Sequence, residues 1–146
     1  MSASLYTIDI LRLAGNIPHA GRLAAPMGSS EKRSPVCGSV VSVDVDLDEC
    51  GCISDVGMLV QACAFGQASS SLLAAHAIGR TPEEVAVVRD ALTAWLTGDG
   101  GLPAWPGIDQ LAPALSATGR HAAIRLAFEA AAEAAAEAGN KALIDG

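Results

Sequence analysis

Along the first half of the chain the apolar positions fall into two rhythms. Leu5, Ile8 and Leu11 recur at three-residue spacing, which predicts a short helix over 5–13, with Ser4 to cap its start and Gly15-Asn16 to stop it. Val41, Val43, Val45 and Leu47 alternate with Ser42, Asp44 and Asp46, the period-two pattern of a strand with one buried and one wet face. Between them, residues 16–36 contain Pro18, Gly21, Pro26, Gly28, Ser29, Ser30 and Pro35 and read as a loop. Asp48-Glu49-Cys50-Gly51 reads as a hairpin turn. Residues 52–56 and 58–62 read as two further strand pieces, with Gly57 as a bulge or kink between them. The expected sheet has three antiparallel strands.

After Cys63 the rhythm is helical. Residues 68–78 carry Leu72, Leu73, Ala75 and Ala77 and stop at Gly79. Thr81-Pro82-Glu83-Glu84 combines a cap, a proline suited to the first helical position and a capping-box glutamate, and starts a helix that runs to about Leu96 and ends at Gly98. Residues 99–107, with three glycines and two prolines around Trp105, read as a loop. Thirteen alanines between Ala112 and Ala138 predict a long helix over 120–138. On it Glu129, Glu133 and Glu137 form one acidic stripe, read as a solvated face. The order helix, strands, helices indicates an α+β fold: a small three-stranded antiparallel sheet packed with an N-terminal helix and a C-terminal helical half. The 146 residues suit one domain, 1–146, with its core over about 5–138.

Composition narrows the function. A 51% hydrophobic content excludes intrinsic disorder. A net charge of −7 with scattered Lys and Arg argues against nucleic acid, and 3% aromatics against base stacking. No run of about 20 apolar residues is available to span a membrane. Asp9, Arg12, Asn16 and His19 interrupt 2–25, so no signal-peptide core fits there. A cytoplasmic protein with reduced thiols is expected, and there the clustered cysteines Cys37, Cys50, Cys52 and Cys63 point to metal or redox chemistry rather than structural disulfides. No nucleophile elbow, zincin helix, phosphate loop or dinucleotide fingerprint is present, so the chain is not expected to be an enzyme.

Cys37 lies in Pro35-Val36-Cys37-Gly38-Ser39, where the long loop meets the first strand, and Gly38 would let backbone pass close to a bound ion. Cys63 ends the last strand just ahead of a helix, whose dipole favours thiolate, the form that binds soft metals and iron–sulfur clusters. Both close strand ends and could share one edge of the sheet; an ordinary buried role is the alternative for each. Cys50-Gly51-Cys52 sits at the far end of the strands, as incidental turn cysteines or as an auxiliary thiol site. His19 and His76 have no evident partner. Ser69-Ser70-Ser71 reads as a helix cap.

Pro35-Val36-Cys37-Gly38, a strand, a turn, Ala62-Cys63 and then, six residues on, Ser69 with Ser70-Ser71-Leu72 resemble the NifU/IscU-type iron–sulfur cluster assembly scaffold. The helix around Tyr6 and the turn Asn16-Ile17-Pro18-His19-Ala20-Gly21 are similar to the family's ends, so the resemblance covers roughly 5–130. Three departures stand out. Ser39 replaces the family's Asp after Cys-Gly. The family's third cysteine, at the start of the last helix, is replaced by Ala122 or Ala123, with His121 beside it. Extra length around 99–116 is reminiscent of the SufU-type relatives.

The resemblance implies a scaffold that receives sulfur from a cysteine desulfurase, holds iron or an iron–sulfur cluster through Cys37 and Cys63, with His121 as the replacement metal ligand, and passes it to apo client proteins. Three donors fall short of the four that a cluster or a tetrahedral zinc needs; water, a partner chain or a homodimer could complete the set. The alternatives are a zinc-binding SufU-like sulfur acceptor and a metal-free interaction module that keeps the scaffold fold.

Overall fold

Thr7 opens the first helix in place of Ser4. The structure, a computed structural model, describes residues 6–35 and 38–145, so Ser4 and Leu5 lie outside the described residues. Helix α1 spans Ile8–Ala14, its start capped by the Thr7 hydroxyl, which accepts from the Ile10 N–H at 3.1 Å. Gly15 closes it, as expected. Ile10 is fully buried, whereas Leu11, grouped with the apolar side by its spacing, stays largely exposed.

The sheet has three antiparallel strands, but not the three expected. They are β1 (Gly28–Arg33), β2 (Val40–Leu47) and β3 (Ile53–Gln61), side by side in chain order. The two pieces expected over 52–62 are one strand. Gly57 runs through it without a break, and the register slip falls instead at Asp46/Leu47. Gly57 is required because another segment crosses it: a Cβ there would lie 2.6 Å from the Gly21 carbonyl oxygen.

The missing strand comes from the stretch read as a loop. β1 is Gly-Ser-Ser-Glu-Lys-Arg and has no apolar residue to alternate. Its register with β2 sets Gly28, Ser30 and Lys32 opposite Val45, Val43 and Val41, on the face covered by the last helix, α4 (His121–Asp145). Gly28 brings the α4 backbone very close, since a Cβ would overlap the Ala134 carbonyl. Ser30 Oγ donates to Glu133 at 3.0 Å, and Lys32 pairs with the same carboxylate at 2.6 Å. The acidic stripe is solvent-accessible, as read, and also makes contacts: Glu133 holds β1 and Glu129 pairs with Arg125 at 3.8 Å, while Glu137 is exposed.

The expected wet face of β2 is covered too. Residues 19–27 fold across it, pairing with β3 through the Gly21 N–H to the Met58 carbonyl (2.7 Å) and the Met58 N–H to the His19 carbonyl (3.1 Å). Asp44, 1% exposed, accepts from Arg22 Nε (2.7 Å) and Nη2 (3.0 Å), the Leu23 N–H (3.1 Å) and Ser29 Oγ (2.7 Å). Asp46 accepts from the Met27 N–H at 2.9 Å.

Helix α2 (Ala64–His76) starts before the expected residue 68, with Cys63 at its N-cap. Ser69, Ser70 and Ser71 are consequently inside the helix and buried, not a cap. Their hydroxyls donate to the carbonyls of Ile124 (2.7 Å), Gly66 (2.8 Å) and Asn16 (3.1 Å). Helix α3 (Pro82–Thr97) is as read: the Thr81–Glu84 capping box forms, and Gly98 ends the helix in the left-handed conformation at φ 83°. Residues 99–107 are irregular, then a 3₁₀ segment (Ile108–Ser116) and a single turn (Thr118–Arg120) lead into α4. Trp105 pins this region: its Nε1–H donates to the Leu72 carbonyl at 2.8 Å, and its ring meets Phe128 edge-on at 5.3 Å.

The core fills the space between the sheet's valine face and the helices. Val41, Val43, Val45, Ile53, Val56 and Met58 meet Phe65, Leu73, Ile124 and Phe128. Along α4 the alanines Ala127, Ala130, Ala131, Ala134, Ala135 and Ala138 are buried, so the helix can lie close to β1 and β2. Among the described residues no helix is long and apolar enough to cross a membrane.

Candidate functional site

Val40 pairs with both Arg33 and Gln61, so the β1–β2 connection and the β3–α2 junction lie at one end of the sheet. The turn with Cys50 and Cys52 follows the Leu47–Ile53 pair at the other end. The sheet thus separates these two cysteines from Cys63, as the sequence predicts.

Cys37, with Val36, lies outside the described residues. The loop around it is narrow: the Ser34 N–H donates to the Ser39 carbonyl (2.8 Å) and the Gly38 N–H to the Ser34 carbonyl (3.0 Å). Gly38 has φ 72°, a conformation natural to glycine, so its role in the turn itself accounts for it. Ser39 is buried at the start of β2.

Cys63 is extended at φ −65°, ψ 171°, and its carbonyl accepts the first helical bond, from the Gln67 N–H at 2.9 Å. Its thiol makes no capping bond and is half-buried beside the core. Phe65 anchors this turn from one side, its ring tilted 35° to that of Tyr6 with ring centres 5.2 Å apart. From the other side α4 packs on it at Gly66, where a Cβ would lie 3.3 Å from the Ala123 Cβ and 2.7 Å from the Ala62 Cβ. Ala123 is fully buried in this contact and Ala122 is not. Of the two positions aligned with the missing cysteine, Ala123 therefore abuts the turn that Cys63 opens.

His121 is the first residue of α4 and is buried, with Nε2 2.9 Å from the Ala114 carbonyl oxygen. A carbonyl only accepts, so Nε2 carries a proton in this contact. Residues two apart on a helix project about 200° apart around its axis. The imidazole thus leaves toward the 3₁₀ segment while the Ala123 methyl meets α2. No sequence signal marks Ala114, because the group that orients His121 is a backbone carbonyl. Among the described residues, no group of three His, Cys, Asp or Glu side chains could hold a metal ion. Cys63 is the described thiol at this end of the sheet, and the His121 ring is turned instead toward the 3₁₀ segment.

The grooves do not single out this end. One of about 300 Å³ lies on the outer sheet face nearby, lined by Arg33, Val40, Leu59 and Gln61 among others. A larger one, about 620 Å³, lies at the opposite end beside the Cys50 turn. A cluster or metal held by loop and helix-end side chains needs no deep cavity, so the cysteine positions outweigh groove size here.

A three-stranded antiparallel meander backed by helices, with a thiol at the β3–α2 junction, is an α+β fold. The sequence matches the family model of the NifU-like N terminal domain over residues 5–135, and the chain belongs to that family. Its structure is similar to the crystal structure of a nitrogen-fixing NifU-like protein (N-terminal) from Brucella abortus. The TM-score is 0.86 at 35% identity, over 93% of this chain and 95% of that one. It is also similar to a protein from thermophilic Fervidobacterium islandicum described as an iron–sulfur cluster assembly scaffold for the SUF system. There the TM-score is 0.82 at 20% identity, over 90% of this chain and 96% of that one, a likeness of fold alone. No curated protein matches the sequence. The family is one of iron–sulfur cluster assembly scaffolds rather than of enzymes in the usual sense.

Proposed function

We propose that this chain is an iron–sulfur assembly scaffold whose cargo is iron or an iron–sulfur cluster held through Cys37 and Cys63. His121 is the third donor in this reading, and taking that role requires its ring to turn from the Ala114 carbonyl toward Cys63. Sulfur arrives from a cysteine desulfurase, and the cargo leaves to apo client proteins. The observation that carries the reading is Cys63: a half-buried thiol at a strand–helix junction, not used as a cap, at the sheet end where the Cys37 loop also lies. A cluster requires four ligands, so the remaining one comes from water, a partner or a second copy.

Anaerobic reconstitution with iron and sulfide tests this. Charge-transfer absorption and bound sulfide are expected in the native protein, and both are lost in the Cys37→Ala, Cys63→Ala double variant. His121→Ala is expected to weaken retention. Absorption that never develops, or that survives the double variant, sinks the proposal.

One observation favours a second reading, a metal-free interaction module. The residue packed against the Cys63 turn is Ala123, whose methyl cannot ligate. Elemental analysis of anaerobically purified protein separates the readings. Iron with sulfide supports the scaffold, zinc alone a SufU-like sulfur acceptor, and neither metal the module.

A further inference from the structure

The scaffold reading makes no use of Cys50-Gly51-Cys52. We propose that this pair is a separate thiol–disulfide exchange site. Cys50 attacks first, low-molecular-weight disulfides are the substrate class, and a Cys50–Cys52 disulfide is the product.

Three observations bring the pair together. Asp48 Oδ1 accepts both the Cys50 N–H (2.9 Å) and the Cys52 N–H (3.0 Å), so the two residues are gathered around a single oxygen. The Asp48 N–H to Cys52 carbonyl bond (2.8 Å) and the Gly51 N–H to Asp48 carbonyl bond (3.0 Å) fold the chain back between them, with Gly51 at φ 81°. A disulfide needs Cα atoms roughly 4.4–6.8 Å apart. Two fully extended residues span roughly 7 Å, and this folded turn is shorter. Both thiols are free. Among the described residues no third His, Cys, Asp or Glu joins them in a group that could hold a metal ion, so the pair stands as a dithiol.

The two positions differ in access. Cys50 is exposed and lines the groove of about 620 Å³, whose wall also includes Leu47, Ala86, Arg89, Ala132 and Ala136. Cys52 is half-buried and is not among the residues lining the groove. Burial, with the nearby negative charge of Asp48, pushes the Cys52 thiol above its ordinary value. Cys50 is therefore the entry thiol and Cys52 the resolving one. The Cys50 thiolate attacks one sulfur of a disulfide RSSR, the S–S bond breaks, and RS⁻ leaves, giving Cys50–S–SR. Cys52 then loses its proton and attacks the Cys50 sulfur, expelling the second RS⁻. The pair gives up two electrons and two protons, and RSSR becomes two RSH. The second step quickens as pH rises toward the elevated Cys52 value, because the thiolate is the attacking species.

The test is incubation of the full chain with oxidised glutathione, acid quenching, alkylation and peptide mass spectrometry. The native protein is expected to lose the two thiol hydrogens in the 48–53 region, without an intermolecular bridge. Cys52→Ser is expected to accumulate glutathione on Cys50, and Cys50→Ser to lose both adduct and disulfide at this turn. The same products are expected in the Cys37→Ala, Cys63→Ala variant, which separates this site from the scaffold site. The proposal is overturned if Cys50 and Cys52 both alkylate fully after exposure. It is equally overturned if Cys52→Ser gathers no adduct, or if the reaction vanishes with Cys37 and Cys63.

Discussion

Asp44 shows how much one side chain can organise. A carboxylate on a strand would ordinarily face water, yet this one is almost wholly buried and is satisfied by four donors from residues 22–29. Burial alone raises its affinity for a proton. The hydrogen bonds from Arg22, Ser29 and the Leu23 N–H, with the Arg22 charge, more than offset this and hold the carboxyl below its ordinary value. A group with a depressed folded value stabilises the native state at pH above the unfolded value and loses that contribution as pH falls through the folded one. Asp44→Asn, which keeps the shape but removes an acceptor and the charge, is expected to cost about 1–3 kcal/mol at neutral pH. Urea titrations across pH check this. The native protein should lose stability below about pH 4 relative to Asp44→Asn, the gap narrowing as the carboxyl protonates. A variant equally stable at neutral pH rules out this account of the covering segment.

The elements divide by how locally they are specified. α3 was legible residue by residue, because Thr81, Pro82, Glu84 and Gly98 satisfy its own ends. β1 was not, because nothing within Gly28-Ser29-Ser30-Glu31-Lys32-Arg33 makes a strand of it; β2 on one side and α4 on its face do. The same dependence makes it fragile. In Gly28→Ala the added methyl has to displace the α4 backbone at Ala134 and Ala138 rather than a flexible side chain. A cost of about 1–3 kcal/mol is expected, as for an overpacked core. Thermal unfolding measures it, and hydrogen exchange should show the loss of protection concentrated in β1 and the middle of α4. A Gly28→Ala protein as stable as the native one contradicts the close approach. The start of α2 carries the same lesson: three serines read as a cap are helix interior, since their hydroxyls found carbonyls on neighbouring segments as well as within the helix.

For the whole molecule, the main consequence concerns Ala123. α2 and α4 meet at Gly66 and Ala123 beside Cys63, where the resemblance places a third thiolate. Ala123→Cys is therefore expected to raise the amount of iron and sulfide retained after reconstitution and desalting, and Ala122→Cys to leave it unchanged. Equal retention in both variants means that Ala123 does not mark the ligand position. The contact is tight, so circular dichroism must first show that the variant is folded.

The sequence by itself determined the α+β class, the capping of α3, the separation of Cys50 and Cys52 from Cys63, and the motif around Cys37 and Cys63 that marks a NifU-like chain. Each rests on spacing within a short stretch, where side-chain periodicity and end-capping act locally. Only the tertiary structure decided that a polar, glycine-led hexapeptide is a strand, that Asp44 is a buried anchor and that the exposed Glu133 ties β1 to α4. It alone turned His121 to a backbone carbonyl and brought Ala123 to the Cys63 turn. Most of those outcomes depend on partners well away along the chain, 103 positions in the case of Ser30 and Glu133, while His121 meets Ala114 only seven positions back. Hydrogen bonding and close packing between such partners leave no periodic trace in either segment alone.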